Sequence, residues 1–131
     1  ALATRRRTHL RISDYADRNP MIIDAETLAR IDATLLPQLD RHHLRLLAHC
    51  LASFRMMAPD LDGALPNAAL RRQWCEQQPV VADDPQFLIL LLNQLNNAAD
   101  QLEAEADSCS KAPLQLSLDD LIAAAEHRCR P

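Results

Sequence analysis

The sequence predicts a single all-α domain. Apolar residues make up 48% of the chain and recur at spacings of three and four along several stretches, which is the period of an amphipathic helix. The chain has one glycine, Gly63, so no Gly-rich phosphate-binding loop is present and glycine-dependent hairpin turns are scarce. With 131 residues it is long enough to bury one continuous core.

The pattern resolves into a helical bundle of about five helices around a central helix. The predicted helices span residues 24–35, 38–57, 67–78, 85–106 and 118–129. Together they form a helical domain over residues 21–131, preceded by an extended basic N-terminal arm over residues 1–20.

The central helix, 85–106, has the longest helix signal in the chain. Asp84 is a suitable N-cap, and Pro85 suits the first helical position because it has no N–H to leave unsatisfied. Residues 87–92 are six consecutive apolar side chains, which predicts that neighbours cover the first two turns on every side. The second half is expected to lie at the surface.

The first two helices surround Pro37. Asp24 is a plausible N-cap for the first, and Pro37 interrupts the backbone hydrogen bonding between them. The spacing of three or four persists across the proline, through Leu28, Ile31, Leu35, Leu39, His43, Leu46, Cys50, Phe54 and Met57. We therefore expect both segments to face one core, with Pro37 either kinking one helix or separating two.

The remaining helices have clear boundaries. Asn67 is a suitable N-cap for the third helix, and Pro79 is expected to end it. Ser117 followed three residues later by Asp120 is a variant of the capping box and predicts the start of the last helix.

Charge is distributed unevenly along the chain. Residues 1–72 hold 11 Arg against 8 acids, net +3, and residues 73–131 hold 3 basic residues against 10 acids, net −7. The simplest interpretation is that the two halves face each other within one fold. The acidic end of the central helix nevertheless needs a basic partner, from this chain or another, because carboxylates near a helix C-terminus are unfavourable.

A partner-binding surface follows from the same charges. The predicted contact residues are Arg5, Arg6, Arg7 and Arg11 in the arm, and Asp100, Glu103, Glu105 and Asp107 on the central helix. An arm that reaches across a twofold axis onto the acidic helix of a second copy would form a homodimer. The predicted function is a non-catalytic protein–protein interaction module: an adaptor, assembly factor or regulatory subunit.

The alternative function is a nucleic-acid-associated regulator that uses the Arg-rich arm together with Arg71 and Arg72 of helix 67–78. The turn before this helix has about nine residues, longer than that of a helix-turn-helix, and the net charge of −4 is opposite to the usual footprint. Nucleic acid is therefore the less favoured partner.

No catalytic, metal or cofactor site is predicted. His42 and His49, like His43 and Cys50, are seven residues apart, about 10 Å along a helix axis, which is too far for one zinc ion. We expect solvent-edge histidines and buried structural thiols instead. The same helix, with Met56 nearby, also gives no specific signal for haem, because methionine at helical spacing is usually a packing residue.

The location predicted from sequence is the cytoplasm. The longest apolar run has six residues, against the ~20 required to cross a bilayer. The first ten residues lack the apolar region of a secretory signal, and the four cysteines show no CxxC pair, so reduced thiols are expected.

Overall fold

The computed structural model describes residues 23–57 and 63–129, and the regular structure in these residues is entirely helical. The α-helices are α1 (Ala25–Asp32), α2 (Gln38–Met57), α3 (Ala68–Glu76), α4 (Pro79–Asp83), α5 (Phe87–Cys109) and α6 (Leu118–Arg128). A short 3-10 turn, Pro113–Gln115, lies between α5 and α6. The all-α class is confirmed, whereas the predicted arm lies outside the described residues. In the described part of the chain, none of the helices combines the length and apolar character needed to cross a membrane.

Two helices, α2 and α5, share the centre of the fold. α2 contacts α1, α3, α5 and α6, and α5 contacts α2, α3, α4 and α6. The core between them contains a set of almost fully buried large side chains: Ile31, Leu44, Phe54, Phe87, Leu95, Leu102, Leu116 and Leu121.

Three of the predicted N-caps are confirmed. The Asp24 carboxylate accepts a hydrogen bond from the backbone N–H of Thr27 at 2.8 Å, and Asn67 caps α3 in the same way. Ser117 and Asp120 form the reciprocal capping box at α6. Capping depends on residues within one turn, which is why the sequence predicts it well.

The junction of α1 and α2 departs from the prediction. α1 ends at Asp32, three residues earlier than predicted, and of the two alternatives for Pro37 the structure shows that it separates two helices. The intervening turn breaks the apolar phase: Leu36 is buried, whereas Leu35 is 99% exposed and Leu39 is 64% exposed. The prediction that Leu35 and Leu39 face the core is therefore wrong.

The buried face of α2 is displaced from the predicted stripe. Leu44, Leu47 and Leu51 are buried, whereas His43 is exposed and Leu46 is only partly buried. The physical reason is that four helices pack on α2, so its buried arc is broad and is not centred on the most regular apolar row.

The segment before α5 contains a helix that the sequence pattern does not predict. The sequence predicts only that Pro79 ends a helix, but Pro79 also occupies the first turn of α4, where its missing N–H costs nothing. The Asp84 carboxylate accepts from the backbone N–H of Gln86 at 3.2 Å, in the turn leading to α5. The helix itself begins at Phe87, two residues later than predicted.

α5 is buried along one face for its whole length. In its first two turns Leu91 is 2% exposed, but Ile89 and Leu90 are 66% and 51% exposed, so complete coverage of this run is wrong. In the second half Leu102 and Ala106 are buried, so the expectation of a surface position there holds only for the other faces.

The connection from α5 to α6 is fixed to the end of α2. Ser110 ends α5 in the left-handed conformation, with φ of 56°. The carbonyl of Gly63 accepts from the backbone N–H of Leu114 at 2.8 Å. The Arg55 guanidinium donates to the carbonyls of Leu114, at 3.0 Å, and Leu116, and its partial burial lowers its pKa. Arg55 therefore helps to set where α6 begins relative to α2.

Candidate functional site

An open groove with a volume of about 930 Å³ lies between α2, α5 and α6. Its α2 side includes Asp40, His42, His43, Leu46 and Leu47. The volume is at the upper end of the range typical of ligand pockets, and the three walls come from separate parts of the chain.

α5 contributes one helical row to the groove. The row consists of Gln94, Asn97, Gln101, Ala104 and Ser108, spaced by three or four residues. Because these side chains are uncharged amides or small residues, this surface is polar and has few protruding groups. Sequence periodicity places these residues on one face, but it does not show that the face remains open.

Glu105 is the most informative side chain of the groove. Its side chain is only 8% exposed, and its Oε1 accepts from Arg128 at 2.8 Å and from Gln101 at 3.5 Å. Its Oε2 is buried and has no hydrogen-bond partner. A buried carboxylate oxygen that is left unpaired is unusual in a folded protein.

Arg128 neutralises part of the negative charge predicted near the C-terminus of α5. It brings a guanidinium from the last turn of α6 to the acidic end of α5, although half of its own side chain is exposed. Lys111 makes a similar link to Asp120 at 2.6 Å. The basic partner that the sequence required is thus partly supplied by this chain.

Histidines from two helices line the groove. His42 and His43 come from α2, with ring centroids 6.2 Å apart, and His127 comes from α6. Against expectation, His49 is buried, because it lies on the face of α2 that packs against other helices. Within the described residues, no three His, Cys, Asp or Glu side chains lie close enough to hold a metal ion.

The prediction of buried structural thiols holds for two of the four cysteines. Cys50 and Cys75 are buried, and burial raises their thiol pKa values to about 12 and about 11. Cys109 and Cys129 are exposed, and all four thiols are free. The buried pair is therefore chemically quiet at neutral pH.

The structure separates the predicted partner-binding residues. Asp100, Glu103 and Asp107 are exposed and make no ion pair within the described part of the chain, whereas Glu105 is buried in the groove. The four arginines of the arm lie outside the described residues. The sequence had no signal to distinguish Glu105 from its acidic neighbours, because its partner lies 23 residues further along.

The alternative nucleic-acid residues lie on α3. Arg72 pairs with Glu76 at 3.9 Å within the helix, and the Nε of Arg71 is buried. α3 packs against both central helices. Its exposed basic surface is therefore smaller than the sequence indicates.

Fold and site together define a class: a small helical domain with an open groove between three helices and a buried acid in the wall of that groove. A family model described as "NDH complex assembly factor CRR9" matches residues 23–131, and the chain belongs to this family. All the groove residues lie inside the matched region. No curated protein and no solved structure matches the chain.

An assembly-factor family implies action through protein partners, and it is consistent with the non-catalytic interaction module predicted from the sequence, for which an assembly factor was one of three alternatives beside an adaptor and a regulatory subunit.

Proposed function

We propose that this chain is a non-catalytic assembly factor of the NDH complex, and that it binds a protein subunit of that complex in the groove between α2, α5 and α6. The observation that carries the proposal is the groove itself, which is built entirely from the part of the chain that matches the family.

The surface beside the groove supports a protein partner. Asp100 and Asp107 lie three residues from members of the groove-lining row of α5, so their exposed carboxylates border the groove. Charges at the rim of an interface accelerate association and select complementary partners. The partner surface expected here is basic.

Site-specific photo-crosslinking in the native host tests the proposal. A benzoylphenylalanine at Ala104, in the groove, is expected to form a covalent product with a subunit of the NDH complex, identified by mass spectrometry. The matched control is the same photoreactive residue at Gln73, which is exposed on α3. If Ala104 captures no NDH subunit, or Gln73 captures the same one equally well, the groove is not the binding surface.

A homodimer remains part of the proposal. Asp100, Glu103 and Asp107 have no ion-pair partner within the described chain, which leaves them available to Arg5 and Arg6 of a second copy. Light scattering over a broad concentration range tests this arrangement, and a monomer throughout would refute it.

A further inference from the structure

Building on the proposed function, we infer that the groove receives an amphipathic helix of the partner protein, which places a Lys or Arg side chain against Oε2 of Glu105.

Oε2 of Glu105 has no hydrogen-bond partner among the described residues. An ionised carboxylate accepts hydrogen bonds and cannot donate them, so Oε2 of Glu105 requires a donor. Arg128 occupies only Oε1, through one nitrogen, and no other described residue reaches Oε2. The side chain is more than nine-tenths buried and Oε2 itself is inaccessible to water, so a donor that enters the groove reaches this oxygen once the carboxylate turns toward the groove.

The charges that line the groove favour a positively charged donor. The ionisable carboxylates lining the groove are Asp40, Glu105 and Asp120, against one guanidinium, Arg128. Asp120 is bonded by Lys111 and Glu105 by Arg128, whereas Asp40 makes no ion pair within the described residues. A second cation completes the balance, and a charged hydrogen bond is about twice as strong as a neutral one.

The shape of the groove suits a helix. The α5 row has the spacing of a helix face, and Ala104, Ala123 and Ala124 keep two walls low enough for a backbone to approach closely. A helix about 10 Å wide with a rise of 1.5 Å per residue fills the 930 Å³ with roughly two turns. This is the helix-in-groove mode of recognition.

Exposed apolar side chains lie next to the groove. Leu39 lies one turn before His43 on α2, and Leu90 lies one turn before Gln94 on α5. Both leucines are more than half exposed. They continue the groove-lining rows of their helices, so an amphipathic helix has apolar surface to cover as well as a carboxylate to pair with.

The test uses the full chain in its host, with the photoreactive residue at Ala104 and detection of captured NDH subunits. Glu105→Gln keeps the size of the side chain and removes its charge, and it is expected to lower the crosslink yield by about tenfold or more. Glu126→Gln is the matched control, since Glu126 is exposed on α6 and does not line the groove, and it is expected to leave the yield unchanged. The captured segment is expected to be helical, with a Lys or Arg within one turn of the crosslinked residue.

A third variant separates recognition from a merely structural role. Arg128→Gln removes the internal partner of Glu105, so the carboxylate is fully available to an incoming cation, and the yield is expected to be retained or increased. If Glu105 only supports the fold, both Glu105→Gln and Arg128→Gln lower the yield together with the melting temperature, and the inference fails.

The other outcomes are also decisive. If the wild-type sequence around Ala104 captures an NDH subunit but Glu105→Gln captures it equally well, the proposed function stands and the inference is overturned. Capture of residues 1–22 of the same chain, or of a second copy, identifies a different occupant and overturns it too. If no NDH subunit is captured at all, the proposed function itself has failed.

Discussion

Leu91 and Ile89 lie two residues apart in one apolar run, and we expect their replacement by alanine to have very different effects on stability. Leu91 is 2% exposed and Ile89 is 66% exposed. Both residues belong to a run of apolar side chains that the sequence predicts to be buried, but only Leu91 is buried in the structure. The two variants therefore test which face of α5 packs against the core.

The magnitudes follow from burial. Leu91→Ala removes three buried carbon groups at about 0.8 kcal/mol each and leaves a cavity, so the loss is roughly 3 kcal/mol within a range of about 2–5. For Ile89→Ala only a third of the side chain is buried, which gives a loss of about 0.8 kcal/mol. The better helix propensity of alanine recovers about 0.4 kcal/mol of this. The net cost of Ile89→Ala is about 0.4 kcal/mol.

Urea unfolding followed by circular dichroism at the helical band measures both free energies. We expect the same dependence on urea concentration in both variants and a lower midpoint for Leu91→Ala. Its melting temperature is expected to fall by roughly 10 °C. Equal losses for the two variants, or a loss above about 2 kcal/mol for Ile89→Ala, would refute the assigned face of α5.

Three further predictions concern the connections and caps. Gly63→Ala is expected to cost about 1–2 kcal/mol in the same urea assay, because φ is +86° and the new Cβ would lie 2.8 Å from the Cβ of Ala112; no loss would contradict that geometry. Ser110→Gly is expected to stabilise by about 0.5–1 kcal/mol, because its φ of 56° suits glycine, and a destabilised variant would argue against a left-handed cap. Hydrogen bonds from Lys111 and the α6 cap lower the pKa of Asp120 from 3.8 to about 2, so its contribution to stability is complete above about pH 4 and is lost toward pH 2. When the pH falls from about 4 to about 2, the free energy of unfolding should therefore decrease less for Asp120→Asn than for the wild type. Parallel plots of unfolding free energy against pH for the two proteins would contradict the lowered pKa of Asp120.

The sequence was most informative where the determinants are local. Asp24, Asn67 and Ser117 were predicted as caps because a cap needs only its own side chain and a backbone N–H two or three residues away. Helix α2 was predicted with the bounds that it has, 38–57, since a proline and a turn-rich stretch delimit it.

Local patterns failed where one residue has two possible roles. Pro79 both ends α3 and begins α4, and only the first role was read from the sequence. Leu35 and Leu39 matched a helical period, but the turn at Pro37 rotates one segment relative to the other. Periodicity alone contains no information about that rotation.

The site was the least predictable part of the molecule. In the sequence Glu105 resembles the surface acids around it, whereas in the fold it is buried and paired with Arg128 of another helix. Likewise His127 joins His43 in the groove only because α6 packs beside α2. Contacts between distant parts of the chain require the fold, and a charge count along the sequence cannot supply it.

The position of α6 in the chain determines when the groove comes into existence. Two walls are present once residues 38–109 have been made, but the third, Leu118–Arg128, follows them in the sequence and is positioned by the Arg55 contacts. A nascent chain that has not yet released α6 therefore has no groove and no Arg128 beside Glu105. A partner helix would therefore be accepted only after α6 has packed against α2 and α5.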